Sequence, residues 1–442
     1  MSDTKTWDIL KDPIENIKDL KQIVLKKDKQ KIFHSEKFSQ IEQKIKNDLK
    51  KQSTDDALKN ISIGALVVGS SDIHYEIYEK EVKVRFRIDG VLIDIFALTL
   101  EEYKKIVERL KYSAWIKLNI THIPQDGKYS FYTEENHKID VRISTLPIKY
   151  GENIVCRILD NTKNIIHFED LGFIWTWKRM IEKVIEKKQW MILVTWPTWS
   201  GKTTTLYTLL HKLNTREKKI ITLEDPIEYE LEGIVQSQID EKNGVTFENG
   251  LKACLRQDPD IIMVWEIRDL ETLQIATQAS LTGHLVLSTL HTKSAADTLD
   301  RIINMGLPPY ILASALDTIV AQRLVRRICS YCKIEKEKNA QEIAIIEAMM
   351  KETGMSTLPS SQMKLYKGTW CNKCGNSWYK GRLWIYEIIT LNDKLRELIR
   401  KESSISQILH EARNGDLIRM QEDGILKALK WYTTIEEILR VI

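Results

Sequence analysis

The chain has 442 residues, 43% apolar and 29% charged, an ordinary globular composition in a length too great for one hydrophobic core. Its 66 basic and 62 acidic residues leave a net charge of +4, which argues against a nucleic acid or an anionic membrane as the principal partner. The longest apolar runs, Ile61 to Val68 and Ile311 to Ala321, fall well short of the ~20 residues of a membrane span; no signal-peptide core opens the chain, and six cysteines are too few for a disulfide scaffold, so a reducing, cytoplasmic setting is expected.

Residues 1–55 are Lys-rich and polar, with weak helical spacing at Ile14, Ile17, Leu20 and Ile23, and predict a helical, charged arm. Residues 56–165 predict a small α+β domain. Lys83–Ile88 alternates as a strand, Asp89-Gly90 marks a tight turn, and Val91–Phe96 returns. An amphipathic helix over 101–112 and alternating strands at Ile139–Thr145 and Asn153–Leu159 complete it. In 166–325 the apolar strands Met191–Thr195, Ile220–Leu223, Ile261–Val264 and Leu285–Leu290 alternate with helices starting after 201, 247, 270 and 294. That rhythm predicts an α/β domain with a parallel sheet covered on both faces. Segment 326–385 holds two cysteine pairs, and 386–442 reads as helical.

The strand at 191–195 runs into Trp196, Pro197, Thr198, Trp199, Ser200 and Gly201, then into a helix that opens with Lys202, Thr203 and Thr204. Strand, tight loop and helix N-terminus are the context of a phosphate-binding loop, whose amides and helix dipole hold the phosphates. Lys202 is expected to reach the outer phosphates and Thr203 to ligate Mg²⁺. The first glycine of the usual Gly-x4-Gly-Lys-Thr pattern is here Trp196. Downstream, the apolar strand after Asp260 ends at Glu266, placed to orient or deprotonate an attacking water. Glu224, Asp225 and Glu228 follow the intervening strand, and His284 and His291 bracket Leu285–Leu290 as candidates for sensing a terminal phosphate.

At these residues the chain resembles the type II secretion and type IV pilus assembly ATPase family. Thr222–Tyr229 resembles its aspartate box, Leu255–Asp269 its Walker B segment and Leu281–Thr292 its histidine box; Ser71–Glu76 with Val84–Gly90 looks like its N-terminal domain. The similarity spans roughly 56–442. It implies a RecA-like ATPase domain behind a PAS-like N-terminal α+β domain, and a ring of six that hydrolyses ATP to drive pilin or pseudopilin assembly. The work would be done on an inner-membrane platform protein from the cytoplasmic face. It also implies arginines closing over the nucleotide from the N-terminal domain, at the matching positions Arg142 and Arg157; the plainer alternative is two strand-edge arginines. Only about 55 residues precede the similarity, so the docking domain of longer members is expected to be absent or reduced. Two rival readings remain: a nucleic-acid motor on the same core, disfavoured by the charge balance, and a non-hydrolysing ring subunit.

Cys329-x2-Cys332 and Cys371-x2-Cys374 each supply two corners of a tetrahedral Zn²⁺ site across a loop of 38 residues, with redox pairs or free thiols as the alternatives. The tetracysteine resembles the assembly and secretion branch of the family, not the retraction ATPases. Cys156 and Cys254 sit singly among apolar residues and are expected in cores.

Tryptophan usage is anomalous. Trp115, Trp190, Trp196, Trp199, Trp265, Trp370, Trp378, Trp384 and Trp431 all stand where the resembling family has glycine. Glycine numbers 18, where the usual ~7% would give roughly 31, and tryptophan numbers 12. A phosphate loop needs positive φ and close backbone approach, which an indole obstructs. The reading is that UGA codons meaning glycine in the source organism are rendered as tryptophan; the alternative is a genuine sequence with a degenerate nucleotide site.

Overall fold

The computed structural model describes residues 36–442 apart from 52, 134, 160–165, 174, 196–201, 354–358, 415–416 and 418. The expected arm therefore enters at α1 (Glu36–Lys50), followed by α2 (Thr54–Val67); residues 1–35 lie outside the described residues. The strands β1 (Ser70–Ile77), β2 (Val82–Ile88), β3 (Val91–Leu98), β4 (Gln125–Tyr132), β5 (Lys138–Ile148) and β6 (Gly151–Leu159) form an antiparallel sheet in the order β3-β2-β1-β6-β5-β4. Strict alternation in Val82, Val84 and Phe86 turns one face of β2 into the core that the sheet shares with α2 and α3 (Leu100–Ser113). Helix α3 starts where the Thr99 hydroxyl accepts from the Glu102 amide and the Glu102 carboxylate accepts from the Thr99 amide, a reciprocal cap worth about 1 kcal/mol.

The second unit is built on seven strands. After α4 (Trp175–Ile185) come β7 (Trp190–Thr195), α5 (Lys202–Leu213), β8 (Ile220–Glu224), β9 (Val235–Gln238), α6 (Phe247–Cys254), β10 (Ile261–Val264), α7 (Leu270–Leu281), β11 (Leu285–Leu290), α8 (Ala295–Asn304), α9 (Pro309–Ala315) and β12 (Leu316–Ile328). Met191–Val194 and Ile261–Val264 are each at most 2% exposed, which a parallel sheet sandwiched between helices requires. Sheet order is β15-β12-β7-β11-β10-β8-β9, parallel throughout except for β15 (Tyr379–Thr390), which runs antiparallel to β12.

That last strand revises the expected division of the chain. Residues 379–390, assigned by sequence to the cysteine segment and a helical tail, return to the edge of the main sheet. The segment between β12 and β15, with β13 (Lys333–Lys336), α10 (Ala340–Thr353) and β14 (Leu365–Gly368), is thus an insertion in a long hairpin. Ala321 pairs with Thr195, the last residue of β7, so Gln322–Ile328 continue past the end of β7 with β15 as their partner. Helices α11 (Asp393–Arg400), α12 (Ile405–Arg413), α13 (Met420–Leu429) and α14 (Ile435–Val441) close the chain, α14 bracing β12. Among the described residues, no helix is long and apolar enough to cross a membrane.

Candidate active site and tetracysteine cluster

In a parallel sheet the chemistry gathers outside the carboxyl ends of the strands. Here those ends are Thr195, Glu224, Val264 and Leu290. The loop Trp196–Gly201 that follows Thr195 lies outside the described residues; Lys202 opens α5, with Thr203 and Thr204 half-buried behind it.

Glu266 is held by its backbone neighbours. The Trp265 amide donates to Leu223 O at 2.8 Å and the Ile267 amide to Thr289 O at 3.0 Å, so the segment is pinned to β8 on one side and β11 on the other. His291, one residue past β11, places Nε2 2.8 Å from Glu266 Oε2. Arg268 donates through Nε to Glu266 Oε1, and its Nη2 lies 3.1 Å from Asp225 Oδ2. Partial burial works to raise the Glu266 carboxyl; the hydrogen bonds and charges of Arg268 and His291 outweigh it and hold the group below the usual carboxylate range. An ionised carboxylate at a strand end, oriented from both sides, is the arrangement needed to align a water for in-line attack.

Two of the expected site residues are engaged in other contacts. Glu224, expected to tune metal and water, is fully buried: it accepts from Tyr207 Oη, from Thr222 Oγ1 at 2.6 Å and from Gln236 Nε2 at 3.0 Å. Alternation along β8 turns its side chain inward while Asp225, the next residue, faces Arg268. His284 precedes β11 and bonds the Ala279 carbonyl through Nδ1 at 2.9 Å. It stands at the opposite end of the strand from His291, roughly 20 Å away at the usual rise per residue, so the two histidines do not share a site within the chain.

The two N-terminal arginines part company. Arg142 Nη2 lies 3.4 Å from Ile227 O, and Nη1 lies 3.9 Å from Glu228, so this arginine reaches the segment after β8. Arg157 donates through Nε to Asp72 Oδ1 at 3.2 Å, and Asp72, fully buried, also pairs with Arg87 at 3.6 Å. Both arginines line a cleft of about 1560 Å³ between the two units, with Lys128, Asp140, Glu228 and Tyr229 on its walls. Arg268, two residues beyond Glu266, is legible in the sequence as a cation able to hold its acidic neighbours in place; Tyr207 and Asp72 carry no motif signal for the roles they have here.

The four cysteines Cys329, Cys332, Cys371 and Cys374 come together as free thiols, all sulfurs within 4.8 Å of one another. Sγ–Sγ separations are 3.8 Å for Cys329–Cys371 and for Cys332–Cys374, and 3.4 Å for Cys371–Cys374. A tetrahedral ion with Zn–S bonds of about 2.3 Å sets its sulfurs roughly 3.8 Å apart, so the donor set fits Zn²⁺. Lone Cys156 and Cys254 are buried in the N-terminal and main cores, where desolvation pushes both thiols up.

A family model described as Type II/IV secretion system protein matches residues 47–440. Type II secretion system protein E of Pseudomonas aeruginosa is 43% identical over 378 residues, 85% of this chain and 73% of that protein. Type IV pilus assembly ATPase PilB of the same organism is 42% identical over 379 residues, 86% of this chain and 66% of its own length. Among solved structures, the pilus retraction motor PilT with bound ADP aligns at a TM-score of 0.55 and 25% identity, over 86% of this chain and 96% of that one. The Legionella pneumophila ATPase DotB aligns at 0.64 over 87% and 94%, and at 18% identity it speaks to the fold alone. By the match along nearly all of its described length, the chain belongs to the type II/IV secretion system protein family.

Proposed function

We propose that this chain is the ATP-hydrolysing subunit of a hexameric ring that powers pilin or pseudopilin assembly. It works at the cytoplasmic face of the inner membrane, through a membrane platform protein and without nucleic acid. Lys202 and the loop before it hold the triphosphate, Thr203 carries Mg²⁺, Glu266 with His291 aligns the water, and Arg142 closes from the N-terminal domain. Zn²⁺ sits in the tetracysteine. The observation that carries the reading is Glu266 held ionised just past the end of β10, with His291 2.8 Å away at the end of β11, the strand between β10 and the β7 strand that feeds the phosphate loop.

Catalysis on this reading requires glycine at 196 and 199. Support comes from elsewhere in the backbone. Trp115 (φ 59°), Trp190 (φ 121°), Trp378 (φ 71°) and Trp431 (φ 63°) occupy the left-handed region, where glycine is at ease and a bulky side chain is strained. Trp115 and Trp370 are the most exposed large apolar side chains among the described residues, at 94% and 73%, and the buried Trp384 indole N–H has no acceptor there. UGA codons that mean glycine in the source organism, rendered as tryptophan, account for all of these together.

The test has two parts. Peptide mass spectrometry of the native protein reads position 196 directly, and an indole mass there ends the recoding idea. Recombinant protein with glycine at the nine positions is expected to hydrolyse ATP, the tryptophan form to bind ATP and fold poorly, and Glu266→Gln in the glycine form to lose about 10²-fold or more in kcat with ATP binding kept. Equal hydrolysis by the tryptophan and glycine forms would refute the requirement.

A further inference from the structure

We propose that Thr298 is a positioning residue for hydrolysis: its buried hydroxyl ties the end of β7, where the phosphate loop begins, to the segment that carries His291, and so fixes the spacing between bound phosphates and aligned water. The proposal rests on the ATPase reading above and adds a buried residue that acts through its neighbours.

Strands β7 and β11 run side by side in parallel, and Leu290 opposite Thr195 is the last pair of their described ladder. The next residue of β7 opens the phosphate loop; the next residue of β11 is His291, 2.8 Å from Glu266. Just past that pair, a side chain of α8 joins the two segments. Thr298 Oγ1 lies 2.7 Å from Thr292 Oγ1, 3.3 Å from Thr195 Oγ1 and 2.9 Å from the Ser294 carbonyl oxygen. A hydroxyl has one proton and two lone pairs, so these three partners use its whole capacity. Thr298 and Thr195 are both fully buried, where leaving such a group unbonded is most costly.

Helix α8 is itself held at its start. The Ser294 hydroxyl accepts from the Asp297 amide at 3.1 Å, and the Glu387 carboxylate on β15 accepts from the Ala295 amide at 2.8 Å. Three residues beyond Thr298, Arg301 Nη1 lies 3.4 Å from His291 O, a second hold of the same helix on the histidine segment. A shift of His291 relative to the phosphate loop spoils the line of attack, and a misplacement of about 1 Å costs on the order of 10²-fold in rate. Valine keeps the branched shape of Thr298 and lacks its hydroxyl; serine keeps the hydroxyl and lacks the methyl.

The experiment uses the full-length glycine form with Thr298→Val, Thr298→Ser and Thr292→Val. It measures steady-state ATP hydrolysis, binding of a fluorescent ATP analogue and the thermal midpoint. Thr298→Val is expected to lose about tenfold in kcat, with KM and analogue affinity within about twofold. Thr298→Ser is expected to keep the parent's kcat within about twofold, although loss of a buried methyl lowers its midpoint. Thr292→Val, at the half-buried end of the hydroxyl chain, should reproduce the kcat loss, and the double variant should lose no more than Thr298→Val alone. A Thr298→Val protein with the parent's kcat overturns the proposal and leaves the ATPase reading standing. An analogue affinity that falls as far as the rate also overturns it, since the hydroxyl then serves phosphate binding. So do rates that follow the thermal midpoint through both Thr298 variants, which makes Thr298 a packing residue. Should Thr298→Val fail to fold, Thr292→Val decides by the same kcat and affinity criteria. A parent glycine form that does not hydrolyse ATP overturns the ATPase reading and this proposal with it.

Discussion

Burying a carboxylate is tolerated where its charge is matched, and Glu437 is matched twice. Arg326, on β12, donates to it by side chain and by its amide, the latter at 2.9 Å, and Arg440 reaches both oxygens at 2.8 and 2.9 Å. Burial alone would raise its pKa; the hydrogen bonds from Arg440 and Arg326 and their charges prevail and bring it from 4.5 to about 2. A folded pKa below the unfolded one means stability present above pH 4.5 and lost as pH falls toward 2, on the order of 3 kcal/mol across that window. Thermal midpoints followed by circular dichroism at pH 7, 4 and 3 should show this. Glu437→Gln is expected to start lower at pH 7 and to lose less between pH 4.5 and 3; an unchanged acid slope would mean other carboxylates carry it. None of this was legible beforehand, because Arg326 and Glu437 are separated by over a hundred residues and meet only through the sheet. The positions of Glu266 and His291 are readable in the sequence, since each lies just past a strand whose apolar run is visible directly. The burial of Glu224 is not, because the two-residue alternation that turns it inward is invisible until the strand's faces are known.

Elements with a single period declared themselves. The unbroken Met191–Val194 and Ile261–Val264 runs and the alternation of β2 give strands within a residue of where they lie, and β5 runs three residues past the expected Thr145. Strand β15 did not, because its partner β12 precedes it by a whole inserted module and nothing local names that pairing. The insertion has its own small core, Ile345, Ile346, Met349, Met350, Met363 and Leu365 packed on Ile425 and Ile438, and the sulfur cluster at its base. A core that small depends on a metal clip more than the main sheet does. Purified protein is expected to hold about one zinc per chain by elemental analysis. Chelation or Cys371→Ser should open the 333–378 segment to limited proteolysis while the seven-stranded unit stays protected. Equal protease resistance with and without metal would count against a structural zinc.

At the scale of the whole molecule, two units face each other across the cleft, and their arginines should separate by experiment. Arg142 meets the segment after β8 with its side chain 37% exposed, and such a pair contributes at most about 1 kcal/mol to stability. Arg142→Ala in the glycine form is expected to keep its thermal midpoint and lose about tenfold or more in ATP hydrolysis. Arg157 is tied to buried Asp72, so Arg157→Ala should lower the midpoint of the N-terminal unit by leaving that carboxylate with less compensation. If both variants lose rate with unchanged midpoints, Arg157 also reaches the nucleotide when the cleft closes.

Beyond Thr195 the paired strands β12 and β15 extend past the end of β7 by seven residues, or roughly 23 Å at the usual rise per residue, with α14 packed along β12. The ribbon is a lever arm with its root beside β7 and the sulfur cluster at its tip. A turn of about 5° at the root would sweep the tip by about 2 Å over that length. Near that tip the Asp89 carboxylate accepts from the Gly381 amide at 3.1 Å, so the N-terminal unit rides on the same arm. A small rearrangement at the root is thereby geared up into a larger displacement at the tip.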